Sequence, residues 1–171
     1  MRELIDLKEK LSQERPNKWE NIPDIDLYMD QVINYMKRQH IGLGEHAGAG
    51  GEEVLTSAMV NNYIKKDLLP RAKGKKYGRA HIAYLTSICL IKQILPVAET
   101  GFFLKKQTEK QSIEKFYEKY CTVLDESLRD ISEEIRDDMN EDDIIDLILK
   151  LAVSSYTQKL VCGQLLRSIS G

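Results

Sequence analysis

The sequence predicts an all-α protein in which a helical head is followed by a long antiparallel helical hairpin. Apolar residues recur at spacings of three and four over residues 113–135, and again over residues 144–165, as they do on one face of a packed helix. The run YLTSICLIKQIL at residues 84–95 is apolar around most of its circumference, which indicates a helix that is buried on several sides. We expect this helix to form the centre of the core.

Residues 1–22 are predicted to form an N-terminal amphipathic arm. Leu4, Leu7 and Leu11 lie at helical spacing among charged residues, and Pro16 stops the segment. Because an isolated helix of this length is only marginally stable in water, we expect the arm to dock on its own chain or on a partner. The same stretch is too highly charged for a secretory signal.

A second helix is predicted from Pro23 to about His40, with Asp24 as its N-cap. Its apolar face is formed by Ile25, Met29, Val32, Ile33 and Met36. In residues 42–51, which follow, five of the ten residues are glycine, so we expect a mobile linker. No Gly-Lys-Ser/Thr sequence follows the linker and no strand precedes it, so it matches neither a phosphate loop nor a dinucleotide fingerprint.

The stretch from residue 55 to residue 85 predicts a short helix, a basic loop and the start of another helix. Thr56 or Ser57 can cap the first helix, which covers residues 56–67 and ends before Pro70. One acid, Asp67, stands among seven cations. The cations are Lys65, Lys66, Arg71, Lys73, Lys75, Lys76 and Arg79. Since the whole chain carries a formal charge of only −2, this patch suits phosphate binding, although a solvated lysine-rich turn would give the same pattern.

The order of these parts resembles a MerR-type winged helix-turn-helix. Asn61-Asn62-Tyr63 matches the middle of the recognition helix, Leu68-Leu69-Pro70 its exit, residues 70–77 the wing, and Tyr77 the opening of the next helix. The runs MVNNYIKKDLLP, KKYGRAHIAYL and ICLIKQIL are similar to the domain of unknown function family 1836 (DUF1836), a group of MerR-like bacterial proteins. This similarity covers roughly residues 23–104.

The resemblance implies a head at residues 23–106 that binds double-stranded DNA through the helix 56–67 and the wing 70–77. Asn61 and Asn62 would then contact bases, because an amide side chain can pair bidentately with adenine. Phosphate contacts would come from Ser57, Lys65, Lys66, Arg71, Lys73, Lys75, Lys76, Tyr77 and Arg79. On this interpretation the protein is a transcriptional regulator.

The hairpin at residues 107–171 is expected to serve dimerisation or effector binding. Its second helix, from Ile144 onwards, is too apolar to be covered by the first alone, so either the head or a second subunit must cover it. The resemblance favours a homodimer, and an intramolecular bundle is the alternative. A small-molecule effector site could be lined by Phe102, Phe103, Tyr117 and Tyr120, although such aromatic residues also suit an ordinary core.

The sequence gives no indication of an enzyme, a metal site or a membrane span. It lacks a Gly-x-Ser-x-Gly elbow, and His40 and His46 are separated by the glycine-rich linker, so neither catalytic residues nor a metal or cofactor is expected. No window approaches ~18 consecutive apolar residues. Cys89, Cys121 and Cys162 form no C-x-x-C pair and lie in apolar helical patterns, which predicts core thiols in a reducing cytoplasm.

Two other functions fit the same residues. The MerR pattern usually has an arginine at the position of Asn61, and its absence favours a protein-interaction module with a degenerate helix-turn-helix. The basic patch would then bind an acidic protein, and DNA binding would be weak and independent of sequence. A ligand-sensing helical protein is the other alternative.

Overall fold

The computed structural model describes residues 2–39 and 55–170, and the glycine-rich linker with His40 and His46 lies outside these residues. Within them the chain is mostly helical, which confirms the predicted all-α class. The helices are α1 (Arg2–Gln13), α2 (Met29–Arg38), α3 (Ser57–Lys65), α4 (Arg79–Ile91), α5 (Val97–Lys110), α6 (Ile113–Glu134) and α7 (Glu141–Ser168). A short 3-10 helix spans Trp19–Asn21, and two-residue strands β1 (Leu27–Tyr28) and β2 (Lys76–Tyr77) form a small antiparallel sheet.

The described chain forms two compact units. One comprises residues 14–125, and the other comprises residues 1–13 together with residues 126–171. The boundary falls within α6, because Phe116, Tyr117 and Cys121 on its first turns belong to the core of the first unit. That unit therefore extends beyond the 23–106 segment that the sequence indicated as the head.

Helix α4 lies at the centre of the core of the 14–125 unit, as its apolar run predicts. Ile82, Leu85 and Ile88 are at most 1% exposed, and full burial of such side chains contributes about 1.5–3 kcal/mol each. The two polar residues buried on α4 are also satisfied, since Ser87 Oγ donates to the Ala83 carbonyl at 2.9 Å. The other, Thr86, donates its hydroxyl to a methionine sulfur of α2. This core fixes α2, α3 and the loops around them.

Helix α3 begins and ends with recognisable caps. Thr56 Oγ1 accepts a hydrogen bond of 3.1 Å from the Met59 amide, so the predicted N-cap is confirmed. At the other end Asp67 has a φ of 55°, and the amides of Asp67 and Leu68 donate to the carbonyls of Ile64 and Tyr63. This is a Schellman ending, with an aspartate where glycine is usual.

The second unit contains α1, the last turns of α6, and α7. Ion pairs connect Lys8 with Asp137 and Lys150 with Glu134. Asn140 caps α7, because its side chain accepts from the Asp143 amide at 3.0 Å while Asp143 accepts from the Asn140 amide. The acidic start that the sequence predicts for this helix is therefore confirmed.

Helix α7 exposes a continuous apolar face. Ile144, Leu147 and Leu151 are half-buried at spacings of three and four, on the side of α7 that packs within its own unit. The adjacent side carries large apolar residues that are between 47% and 68% exposed. They are Ile145, Ile148, Leu149, Val153, Tyr156 and Leu160. An exposed apolar stripe of this length is typical of an interaction surface.

The three cysteines differ in their surroundings. Cys89 and Cys121 are buried, and burial raises the pKa of the Cys121 thiol to about 11, so this thiol is protonated at neutral pH. Cys162 is exposed on α7, so its prediction as a core thiol is wrong. The pattern around Cys162 is apolar, but part of that pattern faces solvent. Of the described helices, none has the length and hydropathy required to cross a bilayer.

Candidate nucleic-acid interface

Helix α3 presents a polar face to solvent. Ser57, Asn61, Asn62 and Lys65 are all exposed, and the spacing of four residues places three of them in one row along the helix. The opposite face is buried in the core through Val60 and its neighbours. The two predicted base-contacting asparagines are therefore accessible on the same surface as Ser57 and Lys65.

The wing is a tight β-hairpin. Lys73 and Lys76 exchange two backbone hydrogen bonds, of 3.1 and 3.0 Å, and Gly74 and Lys75 between them have φ values of 56° and 65°. Positive φ at both central residues is the geometry of a two-residue type I′ turn, whose twist matches that of the flanking strands. The sequence predicted a short wing, and the six residues 71–76, four of them basic, suffice to build a hairpin in this way.

The hairpin is attached to the segment that precedes α2. Leu27 pairs with Tyr77 and Tyr28 pairs with Lys76 in the sheet of β1 and β2. The ring of Tyr28, which is half exposed, lies 5.3 Å from the Nζ atom of Lys76. Sequence patterns did not identify Tyr28, since a two-residue strand is too short to show a period. It adds an exposed aromatic group to the surface of the wing.

Five exposed cations lie at the C-terminal end of α3 and in the loop and hairpin that follow it. Their side chains form no ion pair with a carboxylate anywhere in the described part of the chain. They are Lys65, Lys66, Arg71, Lys73 and Lys75. Because no acid of residues 2–39 or 55–170 neutralises them, this surface is available to an anionic partner.

Two residues predicted to contact phosphate lie in more enclosed positions. Tyr77 is 5% exposed, packs edge-on against His81, and has a raised pKa because it is buried. The guanidinium of Arg79 lies 5.6 Å from the Trp19 ring and 3.7 Å from a carboxylate oxygen of Asp24. The structure therefore places both side chains in the packed base of the wing.

His81 connects the wing to the start of α4. Its Nδ1 atom accepts a hydrogen bond of 3.1 Å from the Gly78 amide, so the ring proton belongs on Nε2. Nε2 lies 3.3 Å from the Arg71 carbonyl oxygen, which it can donate to. A Cβ atom at Gly78 would lie 2.9 Å from a carboxylate oxygen of the exposed Asp26, so a larger residue there requires that side chain to move. These contacts fix the loop that carries Arg71.

The aromatic residues predicted for an effector site are mostly core. Tyr117 and Tyr120 stack at 5.7 Å, and Phe103 approaches Phe116, which lies 6.5 Å from Tyr120. Phe102 does not join this cluster and instead contacts a lysine of its own helix. Burial raises the pKa of both tyrosines, and the Tyr120 hydroxyl has no hydrogen-bond partner among the described residues. The structure thus brings three of the four residues together in one packed cluster.

We expect Asp67→Gly to stabilise the protein. Glycine adopts the φ of 55° without steric cost, so the free energy of unfolding should rise by about 0.5–1 kcal/mol in urea denaturation. Asp67→Asn is the control, since it removes the charge and keeps a side chain. A lower urea midpoint for Asp67→Gly would contradict the expectation.

Among residues 2–39 and 55–170 no group of three or more His, Cys, Asp or Glu side chains could hold a metal ion.

The comparisons with known proteins identify a family. No curated protein and no solved structure matches the chain significantly. The model of one protein family, described as domain of unknown function (DUF1836), matches residues 17–120, which include α2 to α5, the wing and the first turns of α6. The chain therefore belongs to the DUF1836 family.

Proposed function

We propose that this protein is a cytoplasmic, MerR-like transcriptional regulator that binds duplex DNA through α3 and the wing. The observation that carries the proposal is the exposed polar face of α3, followed along the chain by five exposed cations that have no acidic partner among the described residues. A helix with this surface can enter the major groove while neighbouring cations hold the phosphates. No catalytic chemistry is part of the proposal.

The residues have distinct roles in the complex. Asn61 and Asn62 contact base edges, because their amides can donate and accept together. Ser57 contacts phosphate near the start of α3, and the five exposed cations fix the position of the head on the duplex. Lys76, Tyr77 and Arg79 support the wing through their packing, and Lys76 can still reach a phosphate.

A homodimer through α7 completes the proposal. The exposed apolar face of α7 is long enough to form an interface, and a second copy of the same helix offers the matching apolar surface. A dimer would bind an inverted repeat with half-sites one helical turn, or a multiple of it, apart.

Selection from a random duplex pool at two salt concentrations tests the proposal. The full chain should enrich an inverted repeat. Recovery of bound duplexes without enrichment of any sequence would contradict sequence-specific binding. Asn61→Ala should alter the preferred base at one position of each half-site, at a cost of about 1–3 kcal/mol in discrimination. Asn21→Ala, also exposed in the same unit but outside α3, should leave the preference unchanged.

A protein-interaction module is the second candidate. The exposed aromatic ring of Tyr28 beside the cationic wing favours it, because aromatic residues are enriched at protein interfaces and a cationic surface complements an acidic partner. This function predicts salt-sensitive binding to an acidic protein and no enrichment of any duplex sequence.

A further inference from the structure

A cavity of about 170 Å³ lies between the C-terminal end of α3, the loop leading into the wing, and α5. Its floor is apolar. The floor residues are Leu68, Leu69 and Leu104, each at most 3% exposed. Because these leucines are held in the core, the floor exists before any ligand binds, as in most small-molecule sites.

The rim of the cavity is polar and mostly cationic. Arg71 and Lys105 are exposed and form no ion pair within the described chain. The Tyr84 hydroxyl makes no hydrogen bond to any described residue, and Thr108 Oγ1, which donates to the Leu104 carbonyl at 3.0 Å, accepts none from the described residues. Asp67 is the one acid of the lining, so the rim carries a net charge of +1.

The size and the two surfaces together define a ligand. A volume near 150 Å³ accommodates a benzene-sized molecule. The buried leucines present little surface to a ligand, and Pro70 and the half-buried Tyr84 ring supply accessible apolar lining. A bare inorganic anion would leave this lining uncovered. We propose that the cavity binds a small organic anion that has one carboxylate and a ring-sized apolar body. The carboxylate lies between Arg71 and Lys105, and the apolar body packs on Pro70 and the Tyr84 ring.

Binding at this site would regulate DNA recognition, a step that rests on the proposed function. Arg71 belongs both to the rim of the cavity and to the five exposed cations, and its carbonyl lies 3.3 Å from His81 Nε2. A carboxylate bound to Arg71 removes one positive charge from the surface that contacts phosphate. Duplex affinity should therefore fall. The slope of log affinity against log salt should become shallower by about 0.9, which is the value for one phosphate contact.

Titration of the full chain with benzoate, followed by amide chemical shifts, tests the site itself. Benzoate should bind saturably and shift the amides of residues 67–69, 71 and 101–108, and benzamide, its neutral analogue, should bind at least about fivefold more weakly. Lys105→Gln should weaken benzoate binding about three- to tenfold, and Asp67→Asn should strengthen it. Lys110→Gln, which removes a charge from the same helix outside the cavity, should have no effect.

Two results would overturn the site. One is equal affinity for benzoate and benzamide, or no saturable binding of either compound. The other is equal weakening by Lys105→Gln and Lys110→Gln, which would show only a response to net charge.

A duplex titration with and without benzoate tests the regulation. Wild-type protein should lose affinity for DNA when benzoate is present, and Lys105→Gln should need more benzoate for the same loss. Saturable benzoate binding with unchanged duplex affinity would refute the regulatory step, while the proposal that the cavity binds an organic anion would stand. Absence of any duplex binding would refute the proposed function together with that step, and the chemical-shift titration would still decide the site.

Discussion

Replacing Leu149 with aspartate is expected to convert a dimer into a monomer. Leu149 is 64% exposed and lies in the middle of the apolar face of α7, with Ile145 and Tyr156 on either side of it. In a symmetric dimer the substitution introduces two unpaired carboxylates into one apolar interface, each at a cost of several kcal/mol. The dissociation constant should therefore rise by more than about a thousandfold.

The charge distribution along α7 favours an antiparallel pair of helices. The first turns of α7 carry four acids, and the rest of the helix carries only cations. The acids are Glu141, Asp142, Asp143 and Asp146, and the cations are Lys150, Lys159 and Arg167. Antiparallel pairing places the acidic end of each helix beside the basic end of its partner, whereas parallel pairing places like charges together. At 28 residues the helix is about 42 Å long, which provides ample contact length.

Sedimentation equilibrium of wild type and variant over a wide concentration range measures this effect. Thr157→Asp is the matched control, because Thr157 shares the polar face of α7 with Asp146 and Lys150 and should leave the dimer intact. Circular dichroism of both variants verifies that the helix is retained. A wild-type protein that is monomeric at about 100 µM would exclude α7 as a dimer interface, since a standard interface holds well below that concentration.

Helix positions in this chain could be predicted because each long helix contacts a core along one face. The apolar run around α4 and the spacing in α6 and α7 identified these elements, and the Thr56 cap at the start of α3 follows from local chemistry. Periodicity shows that an apolar face must be covered, but it does not show by what. The sequence therefore predicted Cys162 as a core thiol, whereas the structure leaves it exposed.

The pairing of β1 with β2 could not be predicted, since it joins two-residue strands almost fifty positions apart. That pairing determines which basic residues point outward. It explains why Tyr77 is buried and why Lys76 lies over Tyr28. Charge alone identified the patch as a whole, while backbone geometry separates the exposed cations from the residues that support them.

The double substitution Lys73→Glu with Lys75→Glu is expected to abolish most duplex binding. Both lysines are exposed on the wing hairpin, and neither has an acidic partner in the described residues. Each lost phosphate contact decreases affinity by about tenfold at 0.1 M salt, so the variant should bind about a hundredfold more weakly. The new acids add repulsion to this loss.

The salt dependence distinguishes contact from long-range attraction. Two lost contacts should lower the slope of log affinity against log salt by about 1.8, equally for every DNA sequence. Lys115→Glu with Lys119→Glu is the matched control, because it gives the same net charge from exposed positions on α6. If both variants lost affinity equally, net charge alone would account for the effect, and the wing would not be a DNA contact. A normal slope in the control with a reduced slope in the wing variant assigns the contacts to the hairpin, since only bound phosphates release counterions.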